Sequence, residues 1–196
     1  MLGLKFAGQE DVQSILSRID RSITHADRMI QDLLDASHIK SGKLIPIQVV
    51  DCDPSKVARE VIEELALIHG NRFELETINI NISADPVGLR RIIENLVGNA
   101  VKYGNSNTPI RISLVDQEGR LELSIENSGN PISEEDQRTI FEPFHRADSA
   151  IQGTQKGWGI GLSLVRGIAQ AHGGDVNVSS SADRTRFTVS LPSTQG

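Results

Sequence analysis

Two groups of residues in this 196-residue chain have the types and spacing for phosphate chemistry. Gly157-Trp-Gly159-Ile160-Gly161-Leu162-Ser-Leu sets three glycines at alternate positions at the mouth of a helical pattern. Without Cβ atoms, glycine amides approach an anion closely, and a helix N-terminus adds unpaired N–H donors and positive dipole. The Rossmann arrangement is a poor match, because the preceding residues are a polar loop rather than a strand, and a P-loop needs Gly-Lys-Ser/Thr. Read alone, the three glycines also suit a plain hinge before a helix. The second group is Asn95-Leu-Val-Gly-Asn99-Ala-Val-Lys102-Tyr103. Asn95, Asn99 and Lys102 fall at i, i+4 and i+7, on one helical face, where two amide oxygens and an ammonium converge. Such oxygens together with phosphate oxygens suit hexacoordinate Mg²⁺, which takes few protein ligands. Isolated asparagines on a helix are ordinarily solvated, but here Ile92, Leu96 and Val97 flank the same face.

The elements that must position these residues follow from periodicity and caps. Asp53-Pro54 and Asp85-Pro86 each pair an N-cap with a proline at the first helical position. The first predicts a helix through Val57, Val61, Ile62, Leu65 and Ile68 to Gly70. The second predicts one through Leu89, Ile92, Ile93, Leu96, Val97 and Ala100 to Gly104. Leu44 to Val50 alternates around Pro46 and predicts an edge strand, and Arg72 to Ile82 predicts one or two more. Ile110–Val115 and Leu121–Ile125 form a predicted hairpin around Asp116-Gln-Glu-Gly119. Ser133 with Asp136 opens a short helix to Phe141. A helix from about Gly159 to His172 and strands over 175–180 and 185–191 close the pattern. Strands mixed with helices and ending in two neighbouring strands predict a two-layer α/β sandwich with a mixed sheet. Ahead of it, Val12, Leu16, Ile19, Ile23, Ala26, Ile30 and Leu33 recur four and three apart, a bundle seam on a long helix stopped at Ser41-Gly42.

Two further segments lie between the asparagine helix and the glycines: Glu126-Asn127-Ser128-Gly129-Asn130-Pro131-Ile132, and Ile140-Phe-Glu-Pro-Phe144-His-Arg146. Alone they are a turn and a helix end. In this order, with the polar stretch 145–156 before the glycines, the set resembles the ATP-binding domain of bacterial sensor histidine kinases, within the superfamily shared with gyrase-type ATPases. The resemblance covers 44–196 and implies that domain's Bergerat-type α/β sandwich. Residues 1–43 resemble the second helix of the kinases' dimerisation and phosphotransfer hairpin.

The resemblance implies Mg-ATP binding, with Asn99 and Asn95 as metal ligands, and Lys102 on phosphate. Tyr103 would lie near the nucleotide, with Gly129, Ile132, Phe144, Ile160 and Leu162 among its contacts. Gly157, Gly159 and Gly161 would form the base of a lid. Asn127 stands where the family has an Asp that accepts from the adenine amino group, and Pro131 where it has a second glycine. An amide oxygen still accepts but without a carboxylate's charge, so weaker binding is expected. The family's acceptor segment, a histidine followed by an acidic residue, has no match. His25 and His38 lie on the apparent second helix and read as surface or bundle-packing residues, and His69, His145 and His172 fall in the ATP-domain region.

The resulting expectation is a histidine kinase catalytic fragment that transfers the γ-phosphoryl group to a histidine outside these residues. A gyrase-like ATPase places a Glu at Asn95 to activate water, so transfer is expected over hydrolysis. The alternatives are a degenerate nucleotide-binding or docking module without kinase activity, and an ATPase or serine/threonine kinase of the same superfamily. Expected partners are a response regulator receiver domain, the phosphoacceptor hairpin, and a second copy through the N-terminal helix. The formal charge of −6 and scattered Lys and Arg disfavour nucleic acid. Cys52, the single cysteine, excludes an intrachain disulfide, and no apolar run approaches the roughly 18 residues of a membrane span. A cytoplasmic location is expected.

Overall fold

The computed structural model describes residues 3–145 and 159–193, with side chains from residue 12 onward except those of 21, 24, 25 and 28. The elements run α1 (Gly3–Lys40), β1 (Val50–Cys52), α2 (Pro54–His69), β2 (Phe73–Glu76), β3 (Ile82–Ala84) and α3 (Pro86–Tyr103). They continue with β4 (Ile110–Gln117), β5 (Arg120–Asn127), α4 (Glu134–Thr139), α5 (Gly161–Ala171), β6 (Asp175–Ser180) and β7 (Thr185–Pro192). Five strands form a mixed sheet in the order β2-β4-β5-β7-β6, in which only β2 and β4 are parallel. β1 and β3 pair separately, antiparallel. The expected two-layer mixed α/β architecture is therefore present, preceded by a long helix.

Alternation in the central strands sorts the two faces of the sheet. Ile110, Ile112 and Leu114 of β4, Leu121, Leu123 and Ile125 of β5, and Phe187, Val189 and Leu191 of β7 are buried. They meet Leu89, Ile92, Ile93, Leu96 and Val97 of α3 and Leu164, Val165 and Ile168 of α5 in one core. Each such side chain contributes roughly 1.5–3 kcal/mol on burial. The opposite face is polar. There Glu126 receives Arg186 at 2.7 Å, and Ser113 and Ser124 share a hydroxyl hydrogen bond of 2.8 Å across β4 and β5.

The caps form as the sequence predicts. The Asp53 carboxylate accepts from the amides of Ser55 and Lys56, and that of Asp85 from Val87, each before an N1 proline. Glu118 and Gly119 close the β4–β5 hairpin with φ of 54° and 80°, the left-handed pair of a two-residue type I′ turn. Burial and the neighbouring Asp53 and Asp85 carboxylates push the Cys52 thiol up from its ordinary value.

Three expectations need correction. The strand over 44–50 is absent except at its last residue, because β1 begins at Val50. Pro46 lacks an N–H for a ladder, and Ile45 is buried against α5 instead. α4 stops at Thr139 rather than Phe141, and Phe141 turns into the core edge-on to Phe187 at 6.2 Å. α5 starts at Gly161, because Gly159 has a φ of 69° that no α-helix accommodates.

α1 ends against this sandwich. Ala36 is fully buried, and a Cβ on Gly167 of α5 would lie 2.8 Å from the methyl tips of Ile39 and Ile45. The Arg91 guanidinium of α3 bridges to Asp32 at 2.8 Å and to the buried Asp35 at 2.7 Å. The seam residues further up α1 remain exposed.

Candidate nucleotide site

The asparagine helix and the glycine segment meet. A Cβ on Gly88 of α3 would sit 3.1 Å from Ile168 of α5 and 3.4 Å from His172 at its C-cap, and one on Gly161 would sit 2.5 Å from Asn95 Oδ1. As α3 runs from 88 to 95, α5 is followed from 172 back to 161, so the helices pack antiparallel. The N-terminus of α5 thus stops opposite Asn95. Asn99 and Lys102, one and two turns on, extend past it, about 6 Å per four residues.

Asn95 is oriented by its own helix. Its Nδ2 donates to the Arg91 carbonyl at 2.8 Å, which leaves Oδ1 facing the first residue of α5. Among the described residues no side chain caps α5: the preceding Ile160 is apolar and buried, and its carbonyl accepts from the Ser163 hydroxyl at 2.7 Å. Helix dipole and uncapped amides therefore face the side of α3 that carries the amides. Asn99 and Lys102 are half-buried there, and the Lys102 ammonium lies 4.8 Å from the centre of the Tyr103 ring.

A second corner forms where α3 ends. Gly104 and Gly129 pair as an isolated β-bridge, and a Cβ on Gly129 would lie 2.8 Å from the Tyr103 carbonyl. The Ser128 carbonyl accepts from the Asn105 amide at 2.7 Å and from Asn127 Nδ2 at 3.2 Å. Asn127, the last residue of β5, is only 8% exposed, and its Oδ1 takes no hydrogen bond among the described residues. From Asn95 to this corner α3 covers roughly 14 Å.

Phe144 and Gly159 join at a third point. The Phe144 amide donates to the Gly159 carbonyl at 2.9 Å, and a Cβ on Gly159 would lie 2.5 Å from the His145 carbonyl. Phe144 itself has a φ of 65°, uncommon for a residue with a side chain. Leu162 is half-buried against the core, and the Ile132 amide donates to Ser180 on β6 at 3.0 Å. The structure thus brings Asn95 against Gly161, with Ile160 and Leu162 beside it in the chain and Asn99 and Lys102 one and two turns further along α3, and separately brings together Tyr103, Asn127 and Gly129. Ile132 belongs to the β6 edge. Gly157 lies outside the described residues, as does the side chain of His25.

Arg91 and Gly104 were not among the expected site residues. Arg91 fixes the Asn95 amide and holds α1, yet an arginine on a polar helical face carries no local signal of either. Gly104 reads from the sequence as a helix stop. Its contact with Gly129 depends on a β5 turn distant in the chain.

The donors fit a magnesium ion carried by a nucleotide. Among the described residues no group of three or more His, Cys, Asp or Glu could cage a metal, and the side-chain oxygen that meets the start of α5 is the Asn95 amide. Mg²⁺ is commonly held by few protein groups and by phosphate oxygens, and this face of α3 offers such protein groups beside uncapped helix amides.

A glycine-led helix packed antiparallel on an amide-bearing helix, over a mixed five-stranded sheet, makes a two-layer α/β sandwich. Residues 84–195 match the model of the histidine kinase-, DNA gyrase B- and HSP90-like ATPase family, and the chain belongs to that family. Its relatives are more particular. It is 30% identical over 190 residues to the probable sensor kinase SilS of Salmonella typhimurium, covering 94% of this chain and 38% of that protein. It is 30% identical over 186 residues to the sensor histidine kinase CusS of Escherichia coli K12, covering 94% of this chain and 39% of the relative. The chain thus spans about two fifths of the length of these curated relatives. The solved catalytic domain of histidine kinase ThkA matches at 30% identity with a TM-score of 0.66, over 76% of this chain and 97% of that one.

Proposed function

We propose that this chain is a catalytic portion of a two-component sensor histidine kinase, binding Mg-ATP between α3 and α5 and transferring its γ-phosphoryl group to a histidine on a helical hairpin. In this reading residues 1–43 are part of the dimerisation and phosphotransfer region, and 44–196 are the ATP-binding domain. The observation that carries it is the juxtaposition of Asn95 Oδ1 with Gly161 at the uncapped start of α5.

The phosphates would lie over the first amides of α5, where the dipole favours negative charge. Asn99 and Asn95 would hold the metal, and Lys102 would contact a phosphate oxygen. When bound, Mg²⁺ supplies charge neutralisation on the transferring group. The base would reach toward Tyr103, Gly129 and Asn127, a span along α3 comparable to an extended nucleoside triphosphate. Gly157, Gly159, Ile160, Leu162, Phe144 and Ile132 complete the contacts in this reading.

The chain's own contribution is positioning and electrostatic stabilisation. Asn95 favours transfer over hydrolysis, because an amide takes no proton at neutral pH and its nitrogen is already tied to Arg91. The acceptor hairpin, a response regulator receiver domain and a second copy of the chain are the partners this reading requires, in the cytoplasm.

The test is to incubate the chain with γ-labelled ATP, Mg²⁺ and a hairpin domain bearing a histidine. Label on the hairpin that survives alkali and is lost in mild acid supports the proposal. Acid-stable label would indicate a hydroxyl acceptor, and phosphate release without protein label an ATPase. Absence of nucleotide binding at millimolar concentration would leave a docking module.

A further inference from the structure

We propose that His145 and Thr139 are positioning residues for the nucleotide site: the hydrogen bond between their side chains holds residues 144 and 145 against Gly159 and so fixes how the chain enters α5. The inference rests on the nucleotide reading above and concerns what orders the phosphate-facing start of that helix. Imidazole Nε2 of His145 lies 3.0 Å from the hydroxyl of Thr139, the last residue of α4. Thr139 Oγ1 is in turn 3.4 Å from the carbonyls of Glu135 and Asp136. When Nε2 carries a hydrogen it donates to the hydroxyl, which donates its own to a carbonyl; when Nε2 is bare it accepts from the hydroxyl. The link survives either tautomer. The Asp136 carboxylate, which accepts from the Ser133 hydroxyl at 3.0 Å, lies 3.9 Å from the same nitrogen and favours the Nε2–H form.

The link ties the ends of a short stretch of chain that carries an unfavourable backbone conformation. Between those ends the Glu142 amide donates to the Thr139 carbonyl at 2.8 Å, and the His145 amide to the Glu142 carbonyl at 3.2 Å. Phe144 has a φ of 65°, which a residue with a side chain abandons unless its surroundings hold it. Its ring is 52% exposed, so packing does not supply the hold. Kept in this conformation, Phe144 gives its amide to the Gly159 carbonyl at 2.9 Å, and the His145 carbonyl comes close enough to fill the place of a Gly159 Cβ. Two residues after Gly159, Gly161 opens α5 against Asn95. Breaking the link frees Phe144 to return to negative φ and withdraws its amide from Gly159. The start of α5 is then less ordered, and a phosphate bound there must bear the cost of ordering it.

The test is titration calorimetry of the full chain with Mg-ATP, alongside variants shown to be folded by circular dichroism. Thr139→Val keeps the shape of the side chain and removes its hydroxyl, Thr139→Ser keeps the hydroxyl, and His145→Phe keeps a ring and removes Nε2. Thr139→Val and His145→Phe are each expected to lower affinity about three- to tenfold, the span of one neutral hydrogen bond, while Thr139→Ser stays within about twofold of the wild type. The Thr139→Val, His145→Phe double variant is expected to bind no more weakly than either single one, because both changes break the same bond. Wild-type affinity in Thr139→Val, a Thr139→Ser chain as weak as Thr139→Val, or losses that add in the double variant would each overturn this inference and leave the kinase reading standing. A wild-type chain that binds no Mg-ATP at millimolar concentration overturns both.

Discussion

At the scale of single residues, Gly161 has the least freedom to change. Any side chain there would begin 2.5 Å from Asn95 Oδ1, an amide already fixed by its bond to the Arg91 carbonyl. Gly161→Ala must therefore either displace the Asn95 amide or push the start of α5 away from α3. Overpacking of this kind costs on the order of 1–3 kcal/mol, partly offset by alanine's better helix propensity. The expected outcome is a melting temperature lowered by a few degrees with Mg-nucleotide affinity reduced at least tenfold, read by thermal denaturation and calorimetry. A comparable replacement at Gly98, where an added Cβ meets nothing, is expected to leave affinity within about threefold. Both glycines are plain in the sequence, but their difference is not. It depends on which face of α3 meets α5, and hence on contacts some seventy residues apart.

At the scale of elements, α3 and α5 are pinned at their far ends by His172. This histidine is 3% exposed; its Nδ1–H donates to the Ile168 carbonyl at 2.8 Å, and its Nε2 accepts the Asp85 amide at 2.9 Å. One neutral imidazole thus ties the last turn of α5 to the N-cap of α3. Replacing it with alanine strands the Asp85 amide and opens a void, an expected loss of about 2–4 kcal/mol in urea unfolding. His172→Gln, which retains one acceptor, should recover part of it. The starts of α2 and α3 were legible, since Asp53-Pro54 and Asp85-Pro86 are self-contained signals whose caps form within three residues. The 44–50 stretch was not legible, because its alternation serves the burial of Ile45 against Gly167 rather than a ladder, and that choice is made by α5. For the same reason His172 read simply as one of three histidines in the domain. Nothing near it in sequence announces Asp85.

At the scale of the whole molecule, α1 divides into a docked end and a free one. Its last turns are held by Arg91 against Asp32 and the buried Asp35, with Ala36 and Ile39 beneath. Arg91→Met would leave the buried Asp35 without a cation and with only the Gln31 amide donating to it at 3.2 Å, a cost of about 3 kcal/mol to docking, expected as faster amide exchange over residues 31–40. Adding Asp35→Leu removes the stranded charge and should restore much of the protection. Further along, Val12, Leu16, Ile19, Ile23, Ile30 and Leu33 are 48–62% exposed, although their spacing is that of a packed seam. Six large aliphatic side chains on one stripe favour association with a like helix, because each recovers roughly 1 kcal/mol or more when half its surface leaves water. The chain is therefore expected to self-associate, with a sedimentation coefficient that rises with concentration. Leu16→Asp with Ile23→Asp puts two charges into the seam and should weaken association at least a hundredfold. Neither residue approaches α3 or α5, so the nucleotide affinity of the resulting monomer is expected to match that of the wild type. A variant that remained associated would place the contact elsewhere on the surface. One that dissociated but also lost nucleotide would show that the stripe supports the fold of the sandwich rather than a partner.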